Sequence, residues 1–254
     1  MSSFIGLLKK DLSISRYLFF TWLGGVNILF MIGSFIVANY IDEPITPLGC
    51  LVMLILLHTI FIPILVLASL RVEGKTQIWL YNPQSSAVLL YSKIAAAFIY
   101  QCISQCLVWI FGLIAFAHVG MPTKFPITEM ISSSILLTAI GLYIACWIIF
   151  YWSIYHSLGK YPKIMRLRWV FILVIFIILN IIETQLLKIK VFKDFINSWS
   201  FPLDINPSFN YTSHAWSVHT TAVDIPIIPI FLYVIIAIIL LTISSWLLDR
   251  KVEV

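Results

Sequence analysis

Five stretches of the chain carry no Asp, Glu, Lys or Arg: residues 17–41, 44–70, 94–123, 130–159 and 225–248. A sixth apolar run covers 169–182 and is closed by Glu183. A helix needs about 20 apolar residues to cross the hydrocarbon core of a bilayer. In that core no water is available to the backbone, so each spanning segment must satisfy its own N–H and C=O groups. The pattern predicts an all-α membrane protein with six transmembrane helices, at 17–39, 48–69, 94–117, 130–155, 168–187 and 225–248.

The rest of the chain leaves little room for another domain. Charged residues make up 11% of it, against roughly 25% in an ordinary soluble domain. The longest polar interval, 188–224, is too short to bury a core of its own. The whole of 1–254 therefore reads as one transmembrane domain, and any ATPase, kinase or DNA-binding activity would reside on another chain. The net charge of +5 is read as topology, with no nucleic acid as partner. The opening "MSSFIGLLKKDLSISRY" lacks an apolar core followed by a small-residue cleavage site, so no cleavable signal peptide is expected. Cys50, Cys102, Cys106 and Cys146 all fall within spans and read as packing residues.

Lysines and arginines assign the sides. Lys9, Lys10, Arg16, Arg71, Lys75, Lys93, Lys160, Lys163, Arg166, Arg168, Arg250 and Lys251 fall on one side of the six spans. Only Lys124, Lys188, Lys190 and Lys193 fall on the other. The positive-inside rule puts the richer side in the cytoplasm, with both termini inside. Before the first span, Phe4, Leu8 and Leu12 recur every four residues, and Lys9, Lys10, Asp11 and Arg16 take the other face. That spacing predicts an interfacial amphipathic helix over 3–16, lying in the membrane plane against lipid headgroups.

Gly74-Lys75-Thr76 matches the end of a phosphate-binding loop. The full motif needs a glycine five residues earlier, between a strand and a helix. Ser69 stands there, and "IFIPILVLASL" upstream is the end of a span. The tripeptide is therefore not read as a nucleotide site. The same connection, 71–92, carries "KTQIWLY", then Asn82-Pro83. Asn as N-cap and Pro at the first helical position predict a helix start there, running through "QSSAVLLYSK" into the third span. Trp79, Ile78 and Tyr81 on a cytoplasmic loop fit either a hydrophobic groove on a partner protein or the headgroup layer.

An amphipathic N-terminal helix, six spans, Glu73, "WLYNP" at 79–83, Ser85 and Lys93 together resemble the type-2 ABC exporter permeases. The size and the lack of a large external domain are similar to the small exporters of Gram-positive bacteria. The resemblance implies a plasma-membrane permease subunit, not itself an enzyme, that binds no cofactor. ATP and Mg would be held by a separate ABC ATPase dimer. A second permease chain, the same or homologous, would complete the transporter, with membrane lipids around it. The loop after the second span would be a coupling helix docking on the ATPase through Glu73, Gln77, Trp79, Leu80, Tyr81, Asn82 and Pro83. The implied cargo is an amphipathic peptide, of the phenol-soluble-modulin or antimicrobial-peptide type. Lipids or hydrophobic drugs are the alternative.

Polar residues inside spans face a protein interior more often than lipid. Asn27, Gln101, Gln105, Asn180 and Glu183 are the candidate substrate cavity. Gln101 and Gln105, four apart, share a helix face, and interhelical hydrogen bonding explains them equally well. Glu183 lies near the outer boundary of its span, where a solvated carboxylate is the plainer reading. His58, beside the helix-kinking Pro63, reads as a packing residue before a proton relay. In 188–224, Ile189, Phe192, Ile196 and Trp199 form a helical stripe, predicting an external amphipathic helix followed by a turn-rich loop. By the resemblance, Phe192, Trp199 and Phe201 are candidates for an external gate. His214 and His219 match no zinc spacing, so no metal site is expected. No catalytic motif supports an intramembrane enzyme, and no span acids or broken helices in repeated halves support a secondary transporter.

Overall fold

The computed structural model describes residues 3–76, 84–120, 127–160, 165–212 and 215–252. Side chains are not described at Ser3, Lys160, Met165, 203–223, Ile225 and 251–252. The described residues are mostly helical, and among them six helical segments are long and apolar enough to cross a membrane. The first is built from α1 (Ser3–Thr21), a π-helical stretch (Trp22–Ile28) and α2 (Leu29–Ile41). The second joins α3 (Thr46–Leu57) through a 3-10 turn (His58–Ile60) to α4 (Phe61–Thr76). Then follow α5 (Ser86–Val119), α6 (Ile127–Ser157) and α7 (Arg168–Lys188). A short α8 (Lys190–Ile196) and a hairpin of β1 (Ser200–Thr212) and β2 (Ala215–Pro226) precede the last, α9 (Ile227–Leu247).

Three features differ from what local pattern predicts. First, the N-terminal segment does not end at residue 16 as a separate interfacial helix. It continues unbroken into the first span, a 38-residue rod about 57 Å long at 1.5 Å per residue. Its buried stripe is Leu7, Asp11, Ser15 and Phe19, not Phe4, Leu8 and Leu12. Asp11 faces inward because a lysine on α5 awaits it there.

Second, α5 starts at Ser86, later than the Asn82-Pro83 pair, which lies outside the described residues. The backbone N–H of Ser86 donates to Asp249 Oδ1 at 3.2 Å. A carboxylate from the far end of the chain thus takes one of the orphan amides at this helix start.

Third, the region between α8 and α9 contains a two-stranded antiparallel ribbon, with Ser200 opposite Pro226 and Thr212 opposite Ala215. The fold is therefore not purely helical. The stretch expected to be a turn-rich loop is thus a ribbon; Pro202 and Pro207 fit it because both strands of a ribbon are edges, where a missing amide donor is tolerated. The β-branched and aromatic content of 208–223 suits a pleated surface.

The interior has two apolar clusters. One gathers Phe19, Phe61, Leu65, Leu70, Leu90, Ile149 and Leu241 toward the end where Lys and Arg concentrate. The other holds Leu48, Leu51, Leu54, Val108, Phe111 and Ala115 toward the opposite end. Between them the first three spans carry a polar layer. Helix α7 stands apart, with no buried residue.

Helices α5 and α6, with 34 and 31 residues, measure about 51 and 46 Å, well beyond the ~30 Å of hydrocarbon. Helices α7 and α9, with 21 residues each, are about 31 Å long and only span it.

Candidate functional site

Two buried polar clusters lie on the first three helical rods, and the second also reaches α6. The first is charged and sits at the basic end. Lys93 Nζ on α5 donates to Asp11 Oδ1 at 3.0 Å and Ser69 Oγ at 3.1 Å, and pairs with Glu73 Oε2 at 2.8 Å. Its three N–H donors therefore meet three acceptors from α1 and α4. Glu73 also accepts from Lys10, and Asp11 also accepts from Ser92 Oγ. The side chains of Asp11, Glu73 and Lys93 are 0%, 4% and 1% exposed, while that of Lys10 is 28% exposed. Two cations balance two anions. Removing one member of such a set leaves a buried charge uncompensated, at a cost of about 3–5 kcal/mol. Nearby, Tyr100 Oη donates to the Leu12 carbonyl at 2.7 Å, adding a second tie between α1 and α5.

Glu73 therefore does not offer its carboxylate to a partner surface, as a docking residue would. It holds the N-terminal helix to the helices on either side of segment 77–83. Gln77, Trp79, Leu80, Tyr81, Asn82 and Pro83 lie outside the described residues. Gly74-Lys75-Thr76 is the last turn of α4. A helix C-terminus presents carbonyls and a negative dipole end, the wrong polarity for a phosphate. Gly74 is there for packing: an added Cβ would lie 3.1 Å from His156 Nε2 and 3.2 Å from Trp152 on α6.

The second cluster is uncharged. Asn27 Nδ2 donates to Ser104 Oγ at 2.7 Å. His58 Nε2 lies 2.8 Å from the same oxygen, and His58 Nδ1 lies 2.7 Å from the Leu54 carbonyl. A carbonyl only accepts, so the proton is on Nδ1 and Ser104 donates to Nε2. A parallel chain runs from Gln101 Nε2 to Gln105 Oε1 (3.4 Å), from Gln105 Nε2 to Ser134 Oγ (2.8 Å), and from Ser134 Oγ to the Met130 carbonyl (2.7 Å). Trp109 Nε1 also donates to Ser134, at 3.0 Å.

Asn27, Gln101 and Gln105 are thus brought together, with His58 among them as a hydrogen-bonded packing residue. Among the described residues, three buried atoms in this layer have no partner: Trp22 Nε1, Asn27 Oδ1 and Gln101 Oε1. Each orphan costs about 1–3 kcal/mol if left dry.

The π-helical stretch of the first rod and the 3-10 turn of the second border this layer. In an α-helix, side chains five apart diverge by about 140°. The wider π turn over Trp22–Ile28 lets both Trp22 and Asn27 turn inward, Trp22 stacking on Phe61 at 4.6 Å between ring centroids. On the second rod, Pro63 supplies no amide to the Thr59 carbonyl. That carbonyl points at Gly141 of α6, where a Cβ would come within 2.8 Å of it. Sequence reading passed over Gly141, although a glycine in an apolar span is a known mark of close helix approach.

The remaining candidates are elsewhere. Asn180 is exposed on α7, donating to the Phe176 carbonyl at 2.8 Å, and Glu183 is exposed on the same helix. Neither joins the Asn27–Gln101–Gln105 set. Phe192 is half-buried on α8, Trp199 is exposed just before the hairpin, and Phe201 is exposed on β1 opposite Ile225. His214 lies outside the described residues, and the side chain of His219 is not described.

Six spanning-length helices with polar groups sealed inside define a polytopic helical membrane protein. Over 270 aligned residues covering the whole of both chains, it is 29% identical to "Uncharacterized protein YhcE" of Bacillus subtilis (strain 168). No family model matches the chain, and no solved structure matches it.

Proposed function

We propose that this chain is the membrane-spanning permease of an ATP-binding cassette exporter in a Gram-positive plasma membrane. A separate ATPase dimer engages segment 77–83 from the cytoplasm and supplies all the energy. One observation carries the reading. The Lys10–Asp11–Glu73–Lys93 cluster cross-links the N-terminal helix to both helices that flank segment 77–83. Anything that moves that segment moves three rods together. The length of α5 and α6 beyond the bilayer supplies the overhang on which a soluble partner would act. The unburied α7 leaves a whole span for lipid or a second permease chain. With 15% aromatic residues and few charges in the spans, the cargo that fits is an amphipathic peptide, with lipids and hydrophobic drugs behind it.

An ABC ATPase gene beside the chain's own would favour this reading, and its product is the partner to test. Co-expressed, it should copurify with the wild type and be lost from Trp79→Ala/Tyr81→Ala. Retention by the double variant would mean that docking occurs elsewhere. Sidedness is checked with Lys75→Cys, at an exposed position on the last turn of α4. A membrane-impermeant thiol reagent should label it in inverted vesicles and not in intact cells. The opposite result removes the proposal.

A further inference from the structure

Each uncharged relay ends on a backbone carbonyl, and that fixes its direction. The Leu54 carbonyl takes the His58 proton, so Ser104 must donate to His58, and Asn27 must present its NH2 group to Ser104. The Met130 carbonyl takes the Ser134 hydroxyl proton, so Gln105 must present NH2 to Ser134, and Gln101 must present NH2 to Gln105. The carbonyl oxygens at the heads of the two relays, Asn27 Oδ1 and Gln101 Oε1, are the two acceptors left without a donor. Turning the Asn27 amide over would only exchange an orphan oxygen for an orphan NH2. Turning the Gln101 amide over would set two oxygens against each other.

The third orphan is a donor, Trp22 Nε1. It belongs to the same neighbourhood. The Trp22 ring meets His58 edge-on at 5.9 Å between centroids, His58 bonds Ser104, and Gln101 lies one helical turn from Ser104 on α5. Asn27 and Gln101 are 0% and 1% exposed, so bulk solvent does not reach them.

We propose that this layer is a binding site for internal water. At least one molecule accepts from Trp22 Nε1 and donates to Asn27 Oδ1 and Gln101 Oε1, heading both relays. Two acceptors and one donor match the capacity of water, which in protein interiors typically makes about three bonds to otherwise unpaired groups. A metal cation would suit the two amide oxygens but would be repelled by the indole N–H. An ammonium ion offers nothing for the indole to donate to. The water sits where the first rod is π-helical and the second is 3-10, so it occupies the joint between them. The inference does not depend on the chain being a permease.

The test is NMR of the full chain in lipid nanodiscs with 15N-labelled tryptophan. The Trp22 indole signal, assigned by its loss in Trp22→Phe, should show cross-relaxation with water. The Trp109 indole, already bonded to Ser134, serves as the internal reference. In Asn27→Leu/Gln101→Met the Trp22–water signal should disappear while the Trp109 signal persists. A Trp22 indole without water contact in the wild type overturns the proposal. So does a shift of that signal on titrating Na+ or K+, which would mean an ion site. Should Trp22→Phe fail to fold, high-resolution cryo-EM of the wild type decides. Density bridging the three atoms supports the water, and direct pairing of Trp22 Nε1 with Asn27 Oδ1 overturns it.

Discussion

The charged and uncharged clusters share the first three rods, Lys93 and Ser104 being about 16 Å apart along α5, yet they are finished differently. In the charged cluster the donors of Lys93 all meet acceptors, and two positive charges balance two negative ones. In the uncharged layer three polar atoms are left open. The difference follows from what each can tolerate. An unpaired buried charge is costly enough to unfold a marginal protein, so such a cluster is closed or absent. A neutral orphan costs less and can be met by water. The first cluster is built to hold helices in register. The second, beside two irregular turns, is built where they can adjust.

Substitutions should separate the two. Lys93→Met leaves Asp11 and Glu73 buried with only the half-exposed Lys10 as counter-ion. It should destabilise the protein by about 3–5 kcal/mol, read from unfolding in detergent against denaturant. Replacing Lys93, Glu73 and Asp11 together by apolar residues of similar size should recover most of that loss. A triple variant no better than Lys93→Met would mean that the cluster is not self-compensating.

Gly141→Ala comes next. Its methyl group would meet a fixed backbone carbonyl, and overpacking of that kind costs about 1–3 kcal/mol. Gly74→Ala meets side chains instead and gains about 1 kcal/mol of helix propensity, so its melting temperature should stay near the wild-type value. Equal losses at both glycines would contradict the close approach of Thr59 to Gly141.

Ser104→Ala breaks the first neutral relay at its centre. Because hydrogen bonds inside membranes average about 0.6 kcal/mol, and this hydroxyl makes two, the expected loss is about 1 kcal/mol. A loss as large as that of Lys93→Met would place the two clusters on an equal footing. Smallest of all, Asn180→Leu and Glu183→Gln on the exposed α7 should change stability by less than about 0.5 kcal/mol.

What was legible in the sequence was what the bilayer dictates. Charge-free runs gave the six spanning helices because a span cannot carry unpaired charge cheaply. The four-residue spacing of Gln101 and Gln105 gave their shared face. Asp11 was misplaced because its partner Lys93 is 82 residues away, and periodicity within 3–16 only groups it with Lys9, Lys10 and Arg16 on the polar face. Glu73 was assigned to docking by the resemblance alone, since one sequence does not show the two lysines that enclose it. The π turn at Trp22–Ile28 has no composition cue beyond Gly24-Gly25. The hairpin was hidden by Pro202 and Pro207, which are breakers in a sheet interior but not at an edge.

The central claim is that motion at segment 77–83 passes through the charged cluster to the N-terminal helix and the spans. The measurement that tests it most directly is the number of peptide molecules exported per ATP hydrolysed. It is made in proteoliposomes holding the chain with the ATPase proposed to drive it, wild type against Lys93→Met, using only preparations in which that ATPase remains bound. The account predicts continued hydrolysis with a collapsed export ratio in the variant. An unchanged ratio would contradict it.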